Sequence, residues 1–277
     1  MAFRHFAVSA VLLAGPSSFA MAQTTLPNNN ASCQVPPPAD IAAPATPSVA
    51  AGVAAARNNN FAMARANFKP LAEAGDTEAE RLYGTLLMQK CTGMQDAAAG
   101  AIWLGKSADG GNVQAAAQLG QAYMNGDGVP QDDNKAFALV SKAADGGIVG
   151  AEVNLGYFYL SGRGVAADPY QGMVWSAKAG EQGAAPALAN IAQAYFRGKV
   201  LPQDNDKAIY YINIAMLKAT PAQRAAIQTT IDNIQRAVSA EDFKREAARA
   251  ERWSPGKGSL SDVVDDAARM RDKAAKN

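Results

Sequence analysis

Residues Ala115–Gly147 read "AAAQLGQAYMNGDGVPQDDNKAFALVSKAADGG", and Ala151–Gly183 read "AEVNLGYFYLSGRGVAADPYQGMVWSAKAGEQG". The two lines fall into register without a gap at a step of 36 residues. Leu119 recurs as Leu155 and Ile191, Gly120 as Gly156 and Ala192, and Tyr123 as Tyr159 and Tyr195. Gly126 recurs as Gly162 and Gly198, Asp132 as Asp168 and Asp204, and Leu139 as Trp175 and Tyr211. The same step backwards reaches Ala79, Gly84, Asp96, Trp103, Ala108 and Gly111, and a further half-step reaches Ala72 and Gly75. Self-similarity at a fixed period of this length marks a repeat architecture.

Each unit reads as two helices. Ala115, Leu119, Ala122 and Tyr123 lie at i, i+4, i+7 and i+8, which is one apolar helical face. Gly126 offers a left-handed stop. After a short Gly-x-Gly turn, Asp132, Asp168 or Asp204 stands where a helix N-cap accepts from free N–H groups, and Pro169 suits the first helical position. The second helix carries Ala136, Leu139, Ala143 and Ala144 and ends at Gly146-Gly147. Gly84, Gly120 and Gly156, beside bulky residues, allow neighbouring helices to approach closely. One pair has little to bury against, so the pairs must stack.

These residues resemble the Sel-1-like repeat, a longer relative of the tetratricopeptide repeat. The pattern A-x-x-x-L-G-x-x-Y-x-x-G-x-G-V stands at Ala115–Val129 and again at Ala151–Val165. A third copy departs at Ile191-Ala192 and Val200, and the first at Tyr83-Gly84, Leu87, Lys90 and Thr92. The fold implied is all-α: a right-handed α/α superhelix of about four 36-residue helix pairs with a C-terminal capping helix.

One competing motif lies inside the repeats. Gly100–Ser107, "GAIWLGKS", satisfies G-x-x-x-x-G-K-[ST], the phosphate-cradling loop of nucleotide hydrolases. By the repeat step it aligns with Ala136–Ala143 and Gly172–Ala179, the middle of a second helix, and Lys106 aligns with Lys142 and Lys178. A phosphate loop needs unbonded backbone N–H groups, and a helix interior has none to offer. The lysines are therefore read as solvated ends of an outer face.

Composition narrows the chemistry. Arg4-His5, an apolar run to Gly15, and Ala20-Met21-Ala22 have the layout of a secretory signal peptide with cleavage near Ala22. The run is too short to span a bilayer. The expected location is the periplasm or the outside of the cell. Of 26 Lys and Arg, Arg4 leaves with the signal, so 25 remain against 25 Asp and Glu. That balance offers no electrostatic footprint for nucleic acid. His5 is the one histidine, so the mature chain has no imidazole for a catalytic triad or for zinc. No cofactor and no metal site are expected. Cys33 and Cys91 form an even pair in an oxidising compartment, which favours a disulfide, with two free thiols as the alternative. The aspartates around Asp132-Asp133 and Asp204–Asp206 lack the spacing of a calcium loop and read as caps. Ser254-x-x-Lys257 matches a serine–lysine pattern, but it lies in a Pro/Gly hinge without the partner motifs.

The chain thus divides into a signal peptide (1–22), a Pro/Ala-rich spacer (23–47), repeats (48–220), capping helices (221–253) and a tail with a short helix (254–277). In the cap, Ile227, Ile231, Ile234 and Val238 share one face, and a break near Ser239 starts another helix towards Trp253. The tail helix carries Val263, Val264, Ala267 and Met270, and is either docked or a partner-binding tail. The resemblance implies a non-enzymatic scaffold of the cell envelope, acting as a monomer and binding a protein or peptide along the first helices of each pair. The positions it points to are Gln118, Gln121, Asn154, Tyr157, Asn190 and Gln193, whose amides can pair with an extended backbone. Cysteine-rich relatives imply an alternative, binding or hydrolysis of muropeptides or β-lactams. This chain lacks their cysteine pair in every repeat.

Overall fold

The computed structural model describes residues 42–90, 92–256 and 258–276. The signal segment, most of the spacer, and Cys33 and Cys91 lie outside the described residues. Those described form thirteen helices and no strand, in two compact units that divide between Ile148 and Val149.

The first unit holds α1 (Val49–Arg57), α2 (Phe61–Glu73), α3 (Thr77–Met88), α4 (Ala97–Asp109), α5 (Val113–Asn125) and α6 (Asp133–Asp145). α1 pairs with α2, α3 with α4 and α5 with α6, while α2 leans on α3 and α4 on α5. Phe68, Leu82 and Leu86 are fully buried in the early part of this stack. The second unit holds α7 (Val149–Ser161), α8 (Pro169–Glu181), α9 (Ala185–Arg197), α10 (Asn205–Lys218), α11 (Pro221–Ala237), α12 (Ala240–Ala250) and α13 (Ser261–Ala274). Its core joins Leu188, Ile191, Tyr195, Ile209 and Ile212 to Ile227 and Ile234 of α11.

Local chemistry explains why each pair repeats. Asp132, Asp168 and Asp204 each accept from the backbone N–H three residues on, at 3.0, 3.1 and 2.9 Å. The N–H of each also donates back to the carbonyl of Tyr123, Tyr159 and Tyr195, at 3.1, 2.9 and 3.1 Å. The tyrosine-to-aspartate spacing is therefore a closed turn between the two helices of a pair. Gly126 and Gly198 end α5 and α9 in the left-handed region, at φ 77° and 63°. At the helix crossings, a Cβ on Gly84 would lie 2.8 Å from the Gly100 carbonyl oxygen. One on Gly120 would lie 2.9 Å from Val140 Cγ2, and one on Gly156 3.0 Å from Ser176 Oγ.

Three details differ from the expectation. In α6 the buried face is Ala136, Val140, Ala143 and Ala144, and Leu139 is only half-buried. Gly120 draws the backbone of α6 against α5 at Val140, which turns Leu139 outward. Tyr123 and Tyr159 are half-buried, whereas Tyr195 is fully enclosed; in the pair of α7 and α8 the enclosed ring is Phe158. The repeat lysines are exposed, as expected, but each also has a partner. Lys106 Nζ lies 4.0 Å from the Trp103 ring centre and Lys178 Nζ 4.5 Å from that of Trp175, while Lys142 Nζ donates to the Ala108 carbonyl.

The C-terminal segments are docked. α11 starts with a capping box between Thr220 and Gln223, and Ser239 caps α12. α12 packs on α10, and α13 on α8. Leu260, Val263 and Ala267 are buried. Tyr195 Oη donates to Asp266 Oδ2 at 2.7 Å and Tyr211 Oη to Asp262 Oδ1 at 2.8 Å. Lys207 Nζ lies between the two carboxylates, 2.9 Å from Asp262 and 2.6 Å from Asp266. Burial and the Asp262 carboxylate push both tyrosine hydroxyls far above their ordinary pKa.

Candidate binding surface

The first helices of the pairs each bury most of their circumference and leave one narrow polar stripe. On α7 the buried residues run from Ala151 to Phe158 but skip Asn154 and Tyr157. On α9 they skip Asn190 and Gln193. On α5 they skip Gln118, and Gln121 lies beyond Gly120 on the same face. All six are half-buried. A spacing of three or four residues puts each pair on one side of its helix.

Within the first unit, Gln118 and Gln121 stand together on α5. Gln118 Oε1 accepts from Thr85 Oγ1 of α3 at 3.0 Å, and Gln121 Nε2 donates to Asn125 Oδ1 at 3.0 Å. Asn125 Nδ2 in turn donates to Asp127 at 3.0 Å. These amides are thus partly engaged, Gln118 with α3 and Gln121 with the end of α5, and Thr85 belongs to the surface although the 36-residue pattern did not single it out. Within the second unit, Asn154 and Tyr157 stand on α7, and Asn190 and Gln193 on α9, which touches α7. Arg163 Nη1 donates to Tyr157 Oη at 3.2 Å, with its guanidinium 5.7 Å from the ring centre. Arg163 places a cation at the end of this stripe. It sits in the turn after α7, outside the helical periodicity that located the amides.

Beneath the α7 stripe, Glu152 is wholly enclosed. Gln182 Nε2 donates to its Oε2 at 2.6 Å, and Lys178 Nζ stands 3.0 Å from its Oε1 as an ion pair without hydrogen-bond alignment. This links the first turn of α7 to the last turn of α8 and orients the stripe.

The stretch Gly100–Ser107 is helical throughout, inside α4. Lys106 rests on Trp103, and the buried Ser107 Oγ donates to the Thr77 carbonyl at 2.6 Å. Ser107 is committed to packing, Lys106 is exposed against the Trp103 ring, and the backbone N–H groups belong to the helix ladder. Asp132, Asp168 and Asp204 are likewise engaged as caps. Among the described residues no three His, Cys, Asp or Glu side chains cluster as a metal site, and no helix is long and apolar enough to cross a membrane.

Paired helices of similar length, glycine crossings and aspartate-capped turns at one period define an α/α repeat solenoid. The Sel1 repeat family matches at residues 78–112, 113–148, 149–183 and 185–215. The chain is a member of that family, with four repeats spanning α3 to α10. No curated protein sequence matches it. Among solved structures, it is similar to a protective antigen with an SLR fold from uropathogenic Escherichia coli. The identity is 28% and the TM-score 0.55, over 66% of this chain and 40% of the antigen. The chain thus matches less than half the antigen's length. It is also similar to a Sel1 repeat protein from Oxalobacter formigenes at 20% identity and TM-score 0.61, over 83% of this chain and 99% of that one. Sel1-repeat proteins are generally scaffolds for protein–protein interaction.

Proposed function

We propose that this protein is a non-enzymatic scaffold of the bacterial cell envelope that holds a peptide or protein on the polar stripes of its first helices. The observation that carries the reading is the α7–α9 surface. Asn154, Tyr157, Asn190 and Gln193 lie half-exposed on adjacent helices, over a layer of enclosed apolar side chains. Carboxamides offer a donor and an acceptor each, which matches the alternating groups of an extended backbone. Tyr157 adds a flat apolar surface with a polar tip. A rigid support with few ordered groups to immobilise keeps the entropic cost of binding low. The envelope location rests on the signal-peptide layout of residues 1–22, and the non-enzymatic reading on the lack of histidine in the mature chain.

The test is site-specific photocrosslinking in intact cells, with the probe in turn at Asn154, at Tyr157 and at the exposed Leu217. The expected result is one recurrent protein adduct from the first two positions and none from Leu217. Equal labelling from all three positions would overturn the groove reading. Mature protein is expected to give no turnover of a chromogenic β-lactam and no retention of muropeptides. Either activity would support the cell-wall alternative instead.

A further inference from the structure

The seat of α13 has a second copy that nothing in the described chain fills. In the second unit α13 runs antiparallel along α8. Leu260 N–H donates to Glu181 Oε1 at 3.3 Å near one end, and Arg271 stacks 4.2 Å over the Tyr170 ring at the other. Between those ends, Val174 and Ala177 lie on the same α8 face by helical spacing. The opposing wall is α10, where Lys207 and Tyr211 hold Asp262 and Asp266, with Tyr195 at the floor.

Two repeats earlier, 72 residues back, the same positions form a face on α4 and α6 of the first unit. Lys207 over Tyr195, at 4.9 Å, becomes Lys135 over Tyr123, at 5.3 Å. Glu181 becomes Asp109, Tyr211 becomes Leu139, Ala177 becomes Gly105 and Val174 becomes Ile102. Lys142 Nζ donates from α6 to the Ala108 carbonyl of α4, so the two helices face each other across this gap.

The exposures differ in one direction. The Lys207 side chain is 29% exposed and that of Lys135 61%. Ala177, Tyr195 and Tyr211 are buried, whereas Gly105, Tyr123 and Leu139 are half-buried. Ile102 is 62% exposed, the most exposed large apolar side chain among the described residues. A Cβ on Gly105 would meet only Leu119 Cδ2, at 3.8 Å, which leaves its outer side open. Lys135 is tied only loosely, 3.7 Å from its own cap Asp132. Among the described residues, the α4–α6 face therefore has the cation, the aromatic floor and the apolar stripe of the α13 seat without a helix on top.

We propose that this face docks an amphipathic helix of a partner protein built on α13's pattern: an apolar edge flanked by two carboxylates one turn apart. α13 shows what the geometry accepts, because Asp262 and Asp266 straddle one lysine while Leu260, Val263 and Ala267 go under. Lys142 adds a second positive charge on the α6 wall, so the open copy favours an acidic helix more than the filled one does. This site lies on second helices, over the Tyr123 ring of α5, and is separate from the polar stripes of the first helices.

The probe is a fluorescein-labelled peptide of residues 259–276, titrated by anisotropy against the full chain, whose own α13 already fills the α8–α10 seat. Saturable binding is expected. It should fall about tenfold or more with Ile102→Asp and with Lys135→Glu, the scale of one buried aliphatic side chain or one charge contact. It should stay unchanged with Leu217→Asp, a control at the other exposed apolar residue. A peptide with Asp262→Asn and Asp266→Asn should bind correspondingly more weakly. A photoreactive group in place of Val263 should label α4 or α6. Labelling of α8 or α10, which signals exchange with the resident helix, would overturn the proposal. Absence of saturable binding, or binding indifferent to Ile102 and Lys135, would overturn it too.

Discussion

At the scale of single residues, the same amino acid does opposite work at two places in α4's neighbourhood. Gly84 stands where a Cβ would press on the Gly100 carbonyl oxygen at 2.8 Å and the Leu104 nitrogen at 3.0 Å. Both are backbone atoms that cannot swing aside. Gly84→Ala gains the helix preference of alanine, about 1 kcal/mol, but forces α3 and α4 apart. The expected net effect is a loss of about 1–3 kcal/mol, the usual cost of overpacking. Gly105 has no such neighbour, so Gly105→Ala should raise stability by up to about 1 kcal/mol. Paired urea titrations read both signs at once, and an equal effect at the two sites would contradict the close-approach argument. The glycines and the capping aspartates were legible in the sequence because their roles depend on backbone geometry within one or two turns. Which of two adjacent apolar residues points inward was not. Leu139 and Val140 differ by one helical position, and the choice between them is made by Gly120 on another helix.

At the scale of elements, the repeat is a hairpin closed at its turn. Removing one cap tests this directly. Asp168→Ala should cost about 1 kcal/mol and Asp168→Asn much less, because asparagine still accepts from the Gln171 N–H. The measurement is the denaturant midpoint at constant slope. α13 shows the limit of periodicity as a guide. Its amphipathic pattern announced a helix but not a destination, since Asp266 finds Tyr195 and Lys207 across 71 and 59 residues. Helix α1 was hidden for a different reason. Its sequence, VAAGVAAAR, is nearly all small and apolar, with no polar face to reveal a period. The binding stripe lies between these cases. Its six positions follow from the 36-residue step, but Thr85 and Arg163 join through contacts between helices and in a turn, outside any repeat.

At the scale of the whole molecule, the two units are organised differently: the first is helix pairs alone, while the second carries three further helices packed on α8, α9 and α10. The pH response follows from how they are fastened. Tyr195 and Tyr211 are buried and face Asp262, so each holds its proton in the folded unit well beyond the ordinary tyrosine pKa. A raised folded-state value contributes fully below the unfolded value, about 10, and is lost as pH climbs above it. Stability of the second unit should therefore fall above about pH 10. Two tyrosines should be missing from the tyrosinate absorbance until the helical signal collapses. Tyr211→Phe removes one of these protons and should flatten the alkaline slope, at a cost near neutrality of about 1 kcal/mol for the lost hydrogen bond. Ending the chain after Trp253 goes further. It strips Leu260, Val263 and Ala267 from α8 and leaves Lys207 without both carboxylates, a loss on the order of 3 kcal/mol after the entropy of releasing the helix. Stacked repeats derive stability from their neighbours, so amide exchange should accelerate first in α8 to α10 and least in α3 and α4. Uniform acceleration would mean that α13 fastens something other than the seat described, and unchanged exchange would mean that it fastens nothing.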